Sequence, residues 1–136
     1  LLLMIGFKVP FTWQILNFPL IVICIYTVSF GIGTIMLHFG VFVEDLSNVT
    51  NILLKFVYYF SGIFYSISSR IPKPFSTIML IVNPAAFCIN QFRKIFIDGI
   101  APNYIGLLLW FLAGCILTAI GVKLINKYES SYAKVV

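Results

Sequence analysis

The chain has 136 residues, 61% of them hydrophobic and 10% charged, with a formal net charge of +5 and a mean hydropathy of +1.06. A soluble domain holds roughly 45–50% apolar and about 25% charged residues, and a small one has too much surface to hide the excess found here. The composition excludes a soluble globular domain and reads as an integral membrane protein, all-α by the helix-length apolar runs that follow. The nine cations lie scattered between apolar runs, with no basic stripe or aromatic platform. Nucleic acid is therefore not an expected partner. Membrane lipid is, because such cations snorkel to headgroups at helix ends.

Leu1 to Phe7 reads as the tail of a transmembrane helix. No formal charge separates Lys8 from Glu44, a stretch longer than the ~20 residues that cross a bilayer. A span is expected over about 14–38, with Pro19 near its start, where a missing N–H is tolerated. Ser29 and Gly33, four apart, with Gly31 and Gly40 nearby, offer a seam for close helix packing. His38 falls at the far end as a headgroup-level or polar-contact residue. Cys24, Cys88 and Cys115 lie inside apolar runs without metal-ligand spacing, and read as small hydrophobes.

Residues 44–48 form a short polar loop. A second span, about 52–69, is long enough to cross but carries Lys55, Tyr58, Tyr59, Ser61, Tyr65, Ser66 and Ser68. Polar residues at membrane depth face a bundle interior or a watery cavity, so this helix lines a lumen or packs on other helices. Pro72 and Pro74 end it. Phe75 to Val82 is apolar but only about 12 Å long as a helix. Asn83-Pro84 then stops one helix and starts another, since Pro disfavours helical geometry before it while suiting the first helical turn, and Asn is a good N-cap.

The restarted helix, ended by Gly99, places Asn90, Gln91, Arg93, Lys94 and Asp98 on one half of its circumference. Cys88, Ile89, Phe92, Ile95 and Phe96 fall on the other. The segment 75–99 is expected to be a re-entrant pair with its cations at the surface; the alternative is one kinked span over 75–95. The last span covers about 104–123, with Gly106, Gly114 and Gly121 available for packing. The architecture expected is a helical bundle of about three full transmembrane helices, the end of a fourth and a re-entrant or interfacial pair. The four carboxylates, Glu44, Asp45, Asp98 and Glu129, all lie outside these spans. No phosphate loop, nucleophile elbow or metal motif is present in the sequence, so no catalytic, cofactor-binding or metal residue is expected.

In order, "VFVEDL" (41–46), "YYFSGIFYS" (58–66), "RIPKPF" (70–75), "LIVNPAAFCINQFRK" (80–94), "APNYIG" (101–106) and "GVKLINKYESSYAKVV" (121–136) resemble the C-terminal half of a type-2 ABC exporter permease of the polysaccharide and teichoic-acid (polyol phosphate) export family. The resemblance covers essentially the whole chain, 1–136. It implies a permease rather than an enzyme, multi-pass in a bacterial cell membrane, paired with a second permease copy. ATP and Mg would be bound by a separate ATP-binding subunit. The cargo would be a lipid-linked polysaccharide or teichoic-acid-like polymer.

The resemblance also implies site roles. Tyr58, Tyr59, Phe64 and Tyr65 would line the channel. Asn83, Pro84, Arg93 and Lys94 would form the exit loop, the two cations meeting phosphate or lipid headgroups. Glu44 and Asp45 would lie on the cytoplasmic, coupling side, although Glu44 replaces the Arg usual in the family. Two alternatives stand beside this: a type-2 ABC permease for a drug or lipid, and part of a polytopic membrane enzyme that modifies glycans.

Overall fold

A computed structural model of the chain describes residues 12–43, 45–63, 67 and 71–135, and these are mostly helical with no strand among them. A 3-10 turn, Trp13–Asn17, leads into α1, Phe18–Phe42, with Pro19 in its first turn. The other helices are α2, Leu46–Phe60, α3, Phe75–Val82, α4, Pro84–Arg93, and α5, Tyr104–Val135; α4 continues into a π-helical turn, Lys94–Asp98. Two stretches, Trp13–Val41 and Tyr104–Tyr128, are long and apolar enough to cross a membrane.

Those two helices lie side by side and run parallel. The Cys24 thiol donates to the Leu107 carbonyl at 3.5 Å, and Tyr104 donates to Asn17 Oδ1 at 3.2 Å. Further along, Gly114 lies on the backbone of Thr27 and Val28, Gly31 on Leu117 and Thr118, and Gly121 on Thr34 and Ile35. At the far end His38 meets the Tyr128 ring at 5.2 Å. Both sequences ascend together from one contact to the next. Without Cβ atoms the two backbones approach closely, which in lipid replaces the missing hydrophobic drive with dispersion contacts. The seam differs from the expected one. Gly31 faces α5, whereas Gly33 meets open space and Ser29 is exposed. A spacing of four identifies a helix face, but cannot say which of two neighbouring faces is used.

α2 departs most from the sequence expectation. It starts at Leu46, inside the segment expected to be a loop, and runs unbroken to Phe60; Ile67 is helical again, and 64–66 and 68–70 of the expected span and its end lie outside the described residues. Ser47, Asn48, Thr50 and Asn51 look like loop residues, but they share one helix face with Lys55, Tyr58 and Tyr59, so they extend an amphipathic helix. Ser61 and Gly62 end it: Ser61 Oγ donates to the Tyr58 carbonyl at 2.7 Å, and Gly62 has φ +67°, a left-handed conformation that glycine adopts without Cβ strain. Fifteen residues span about 22 Å, less than a ~30 Å hydrocarbon core. No residue of α2 is buried.

The core lies at the Tyr104 end. Ile21 and Cys24 of α1, Phe87 and Cys88 of α4, Ile95, and Leu107 of α5 bury one another, with Phe92, Phe96, Trp110 and Phe111 packed around them. Cys24 and Cys88 are thus buried small hydrophobes, while Cys115 is exposed. His38, expected at headgroup level, is 7% exposed between α1 and α5.

Because a Cβ at Gly114 would approach Val28 N to 2.8 Å, Gly114→Val should lower stability by about 1–3 kcal/mol through overpacking. Gly33→Ala, into open space, should be neutral or slightly stabilising. Thermal unfolding of the full-length protein in detergent, followed by size exclusion, checks both.

Candidate functional site

α3 and α4 form a hairpin with a 107° bend between them. Asn83 makes the bend. Its backbone N–H closes α3 on the Met79 carbonyl at 3.1 Å. Its side-chain oxygen accepts from Ala85 N at 3.0 Å and Ala86 N at 3.2 Å, capping α4, while Pro84 fills the first helical position. One residue thus satisfies groups on both helices, as backbone inside an apolar medium requires.

The hairpin's depth can be read against α1. Cys88 lies against Cys24, and Ile95 belongs to the same buried cluster as Ile21. Phe92 and Phe96 pack on Phe18, with ring centroids 5.6 and 5.8 Å away, and Gly99 lies on Thr12. α4 therefore runs back along the first turns of α1, from about the level of Cys24. Eleven residues separate Cys24 from Trp13, about 16 Å of helix, or roughly half a hydrocarbon core. On the other side α3 places Leu80 and Ile81 with Ile105, Leu109 and Ala113 around one groove.

Gln91 is buried at 2% exposure. Its side-chain oxygen accepts from Asn103 N at 2.9 Å, and Asn103 caps α5 by accepting from Gly106 N at 3.1 Å. The sequence reading put Gln91 on the face turned to headgroups; instead it joins the end of the hairpin to the start of α5. No periodicity reveals this, because the partner lies in a turn twelve residues away. Arg93 and Lys94 are half-buried. Arg93 reaches α2's end: Nη2 donates to the carbonyls of Gly62 and Ile63, each at 2.9 Å. Asn83 Nδ2 makes a longer contact, 3.5 Å, with the Val57 carbonyl.

Among the channel candidates, Tyr58 and Tyr59 stand on α2 with rings edge to face at 5.6 Å, and are 45% and 70% exposed. With Asn51 and Lys55 they line a shallow open groove. Phe64, Tyr65 and Glu44 lie outside the described residues. Asp45 is exposed at the α1–α2 turn and accepts from Asn48 Nδ2 at 3.2 Å. It sits at the His38 end, away from the hairpin. The structure thus joins Asn83 and Arg93 to α2 and its end near Tyr58 and Tyr59, with Pro84 beside Asn83, and keeps Asp45 apart. No group of three or more His, Cys, Asp or Glu side chains that would hold a metal occurs among the described residues.

Comparison with known proteins supplies the context. The chain is 29% identical over 130 residues, 96% of its length, to two proteins of Klebsiella pneumoniae, each named O-antigen export system permease protein RfbA. The chain spans about half the length of these curated relatives, 49%. No protein-family model matches it, and no solved structure does.

Asn83→Ala should cost about 1 kcal/mol by uncapping α4, with Asn83→Ser nearly neutral. Gln91→Leu should cost about 0.5–1.5 kcal/mol, because it removes the bond to the Asn103 N–H. Thermal melts of the purified full-length protein rank the three variants.

Proposed function

We propose that this chain is the C-terminal half of the transmembrane permease of an ATP-driven exporter. The cargo is a polysaccharide-type polymer carried on a lipid, moved outward across a bacterial cell membrane. The observation that carries the reading is the match to O-antigen export permeases over 96% of the chain. The geometry supports it, with two parallel spans and a half-depth hairpin beside a polar, aromatic helix.

In this reading the Tyr104 end is outside. The hairpin is re-entrant, since its arms reach about half the bilayer and turn back. α2 returns the chain from the inner end, its Asn51–Lys55–Tyr58–Tyr59 face turned to the polymer path. Tyrosine suits such a wall, because it offers sugars an apolar ring face and a hydroxyl together. Lys94 stands near the exit, where phosphate on the carrier or a headgroup would meet it. Asp45 lies inside, toward an ATP-binding subunit that hydrolyses ATP with Mg. A second permease copy completes the path. Teichoic-acid-like polymers share the phosphate chemistry and remain within the cargo class.

Deleting the parent gene should abolish surface polymer and leave lipid-linked polymer inside, with full-length complementation restoring export. Surface polymer that persists after clean deletion would contradict the reading. In the complemented strain, Tyr58→Ala with Tyr59→Ala should cut export about two- to tenfold at equal protein level, matching roughly 0.5–1.5 kcal/mol of aromatic contact. Quantitative staining of surface glycan measures it.

A further inference from the structure

The helices fall into two mechanical classes. α1, α4 and α5 share a core in which Ile21, Cys24, Cys88, Ile95 and Leu107 are at most 2% exposed. α2 shares none of it: from Asn51 to Phe60 every residue is exposed. Near its inner end it meets α1 through a weak Thr50–Met36 contact at 3.9 Å, and one turn before its outer end Asn83 Nδ2 makes a long 3.5 Å contact with the Val57 carbonyl. Its outer end is held differently. Ser61 and Gly62 are buried, and Arg93 donates to two successive carbonyls there at 2.9 Å.

Arg93 bonds the two carbonyls just beyond the helix cap, and a cation there meets the negative end of the helix dipole. Bonds with a charged donor are about twice as strong as neutral ones. Gly62 sits at that point with φ +67°. So a helix without buried residues is pinned at one end, beside a glycine, to a rigid body.

We propose that Arg93 is a positioning residue that pins the outer end of α2 to the hairpin, making Ser61–Gly62 the pivot about which the rest of α2 swings during transport. This rests on the permease reading. Arg93 thereby acts through backbone carbonyls rather than on the polymer. A pivot there moves Tyr58 and Tyr59 little and the Asp45 end most, so motion imposed at the inner end widens the path from within while the outer hairpin stays seated.

The test uses the full-length permease with its ATP-binding partner in lipid vesicles, with Cys115→Ser. One spin-label pair, Phe60→Cys with Ile97→Cys, reports the outer end; a second, Leu37→Cys with Val49→Cys, reports the inner end. All four positions are exposed. Trapping with ATP should shift the inner-pair distance and leave the outer pair narrow and unmoved. R93A should broaden the outer pair and lower export about tenfold while ATP hydrolysis continues, with R93Q, which keeps an N–H donor, in between. Should R93A fail to fold, the R93Q broadening decides the same point.

An inner pair that does not respond to ATP would overturn the pivot, as would an outer pair that moves as far as the inner one. An outer distribution unchanged in both variants would do so too. If deleting the gene leaves surface polymer intact, the permease reading fails instead, whatever the distances show.

Discussion

The close parallel contact of α1 and α5 is the constraint from which the rest follows. Gly31, Gly114 and Gly121 let two backbones meet where any side chain would hold them apart. Between hydrocarbon-facing helices, apolar area alone gives no net drive to associate, because lipid is as apolar as leucine. Contact must come from surfaces that fit. Once the two helices are parallel, the chain leaving α1 at Phe42 has to travel back the whole length before α5 can begin at Tyr104. α2 starts that return from the inner end, and the hairpin lies between it and α5.

That return path sets the polar chemistry. A hairpin whose tip lies at the level of Cys24 exposes helix ends to a medium with no water, and each orphan group needs a partner. Asn83 serves two helices, Gln91 and Asn103 join hairpin to α5, and Arg93 closes the end of α2. Among the described residues no buried side-chain nitrogen or oxygen lacks a partner. The same contacts that satisfy the backbone also place the polar face of α2 beside the hairpin, so structural necessity and the arrangement of the site are one problem solved together.

Much of this was legible in the residues. The charge-free run before Glu44, the break at Asn83-Pro84 and the stop at Gly99 each act through local backbone chemistry, and local chemistry is written in sequence. The extent of α2 was not, because Ser47 to Asn51 carry loop-like composition, and their helical face becomes visible only when joined to Lys55 and Tyr58. Gly31 rather than Gly33, the burial of Gln91, and the reach of Arg93 to Gly62 and Ile63 depend on contacts 12 to more than 80 residues away. A single sequence shows which residues are polar or small, but not which distant partner takes them. The ordered motifs from Val41 to Val136 pointed to export permeases, and the likeness to the O-antigen export proteins agrees at that level.

The central claim is that α1 and α5 cross in the same direction with the α3–α4 hairpin entering and leaving at one side. Impermeant maleimide labelling of single cysteines in the full-length protein in intact cells, in a Cys115→Ser background, tests it most directly. Phe75→Cys and Ile97→Cys, at the two ends of the hairpin, should both label from outside, and Asp45→Cys only after the membrane is opened. Labelling of Phe75→Cys and Ile97→Cys from opposite sides would make 75–98 a spanning segment and contradict the account.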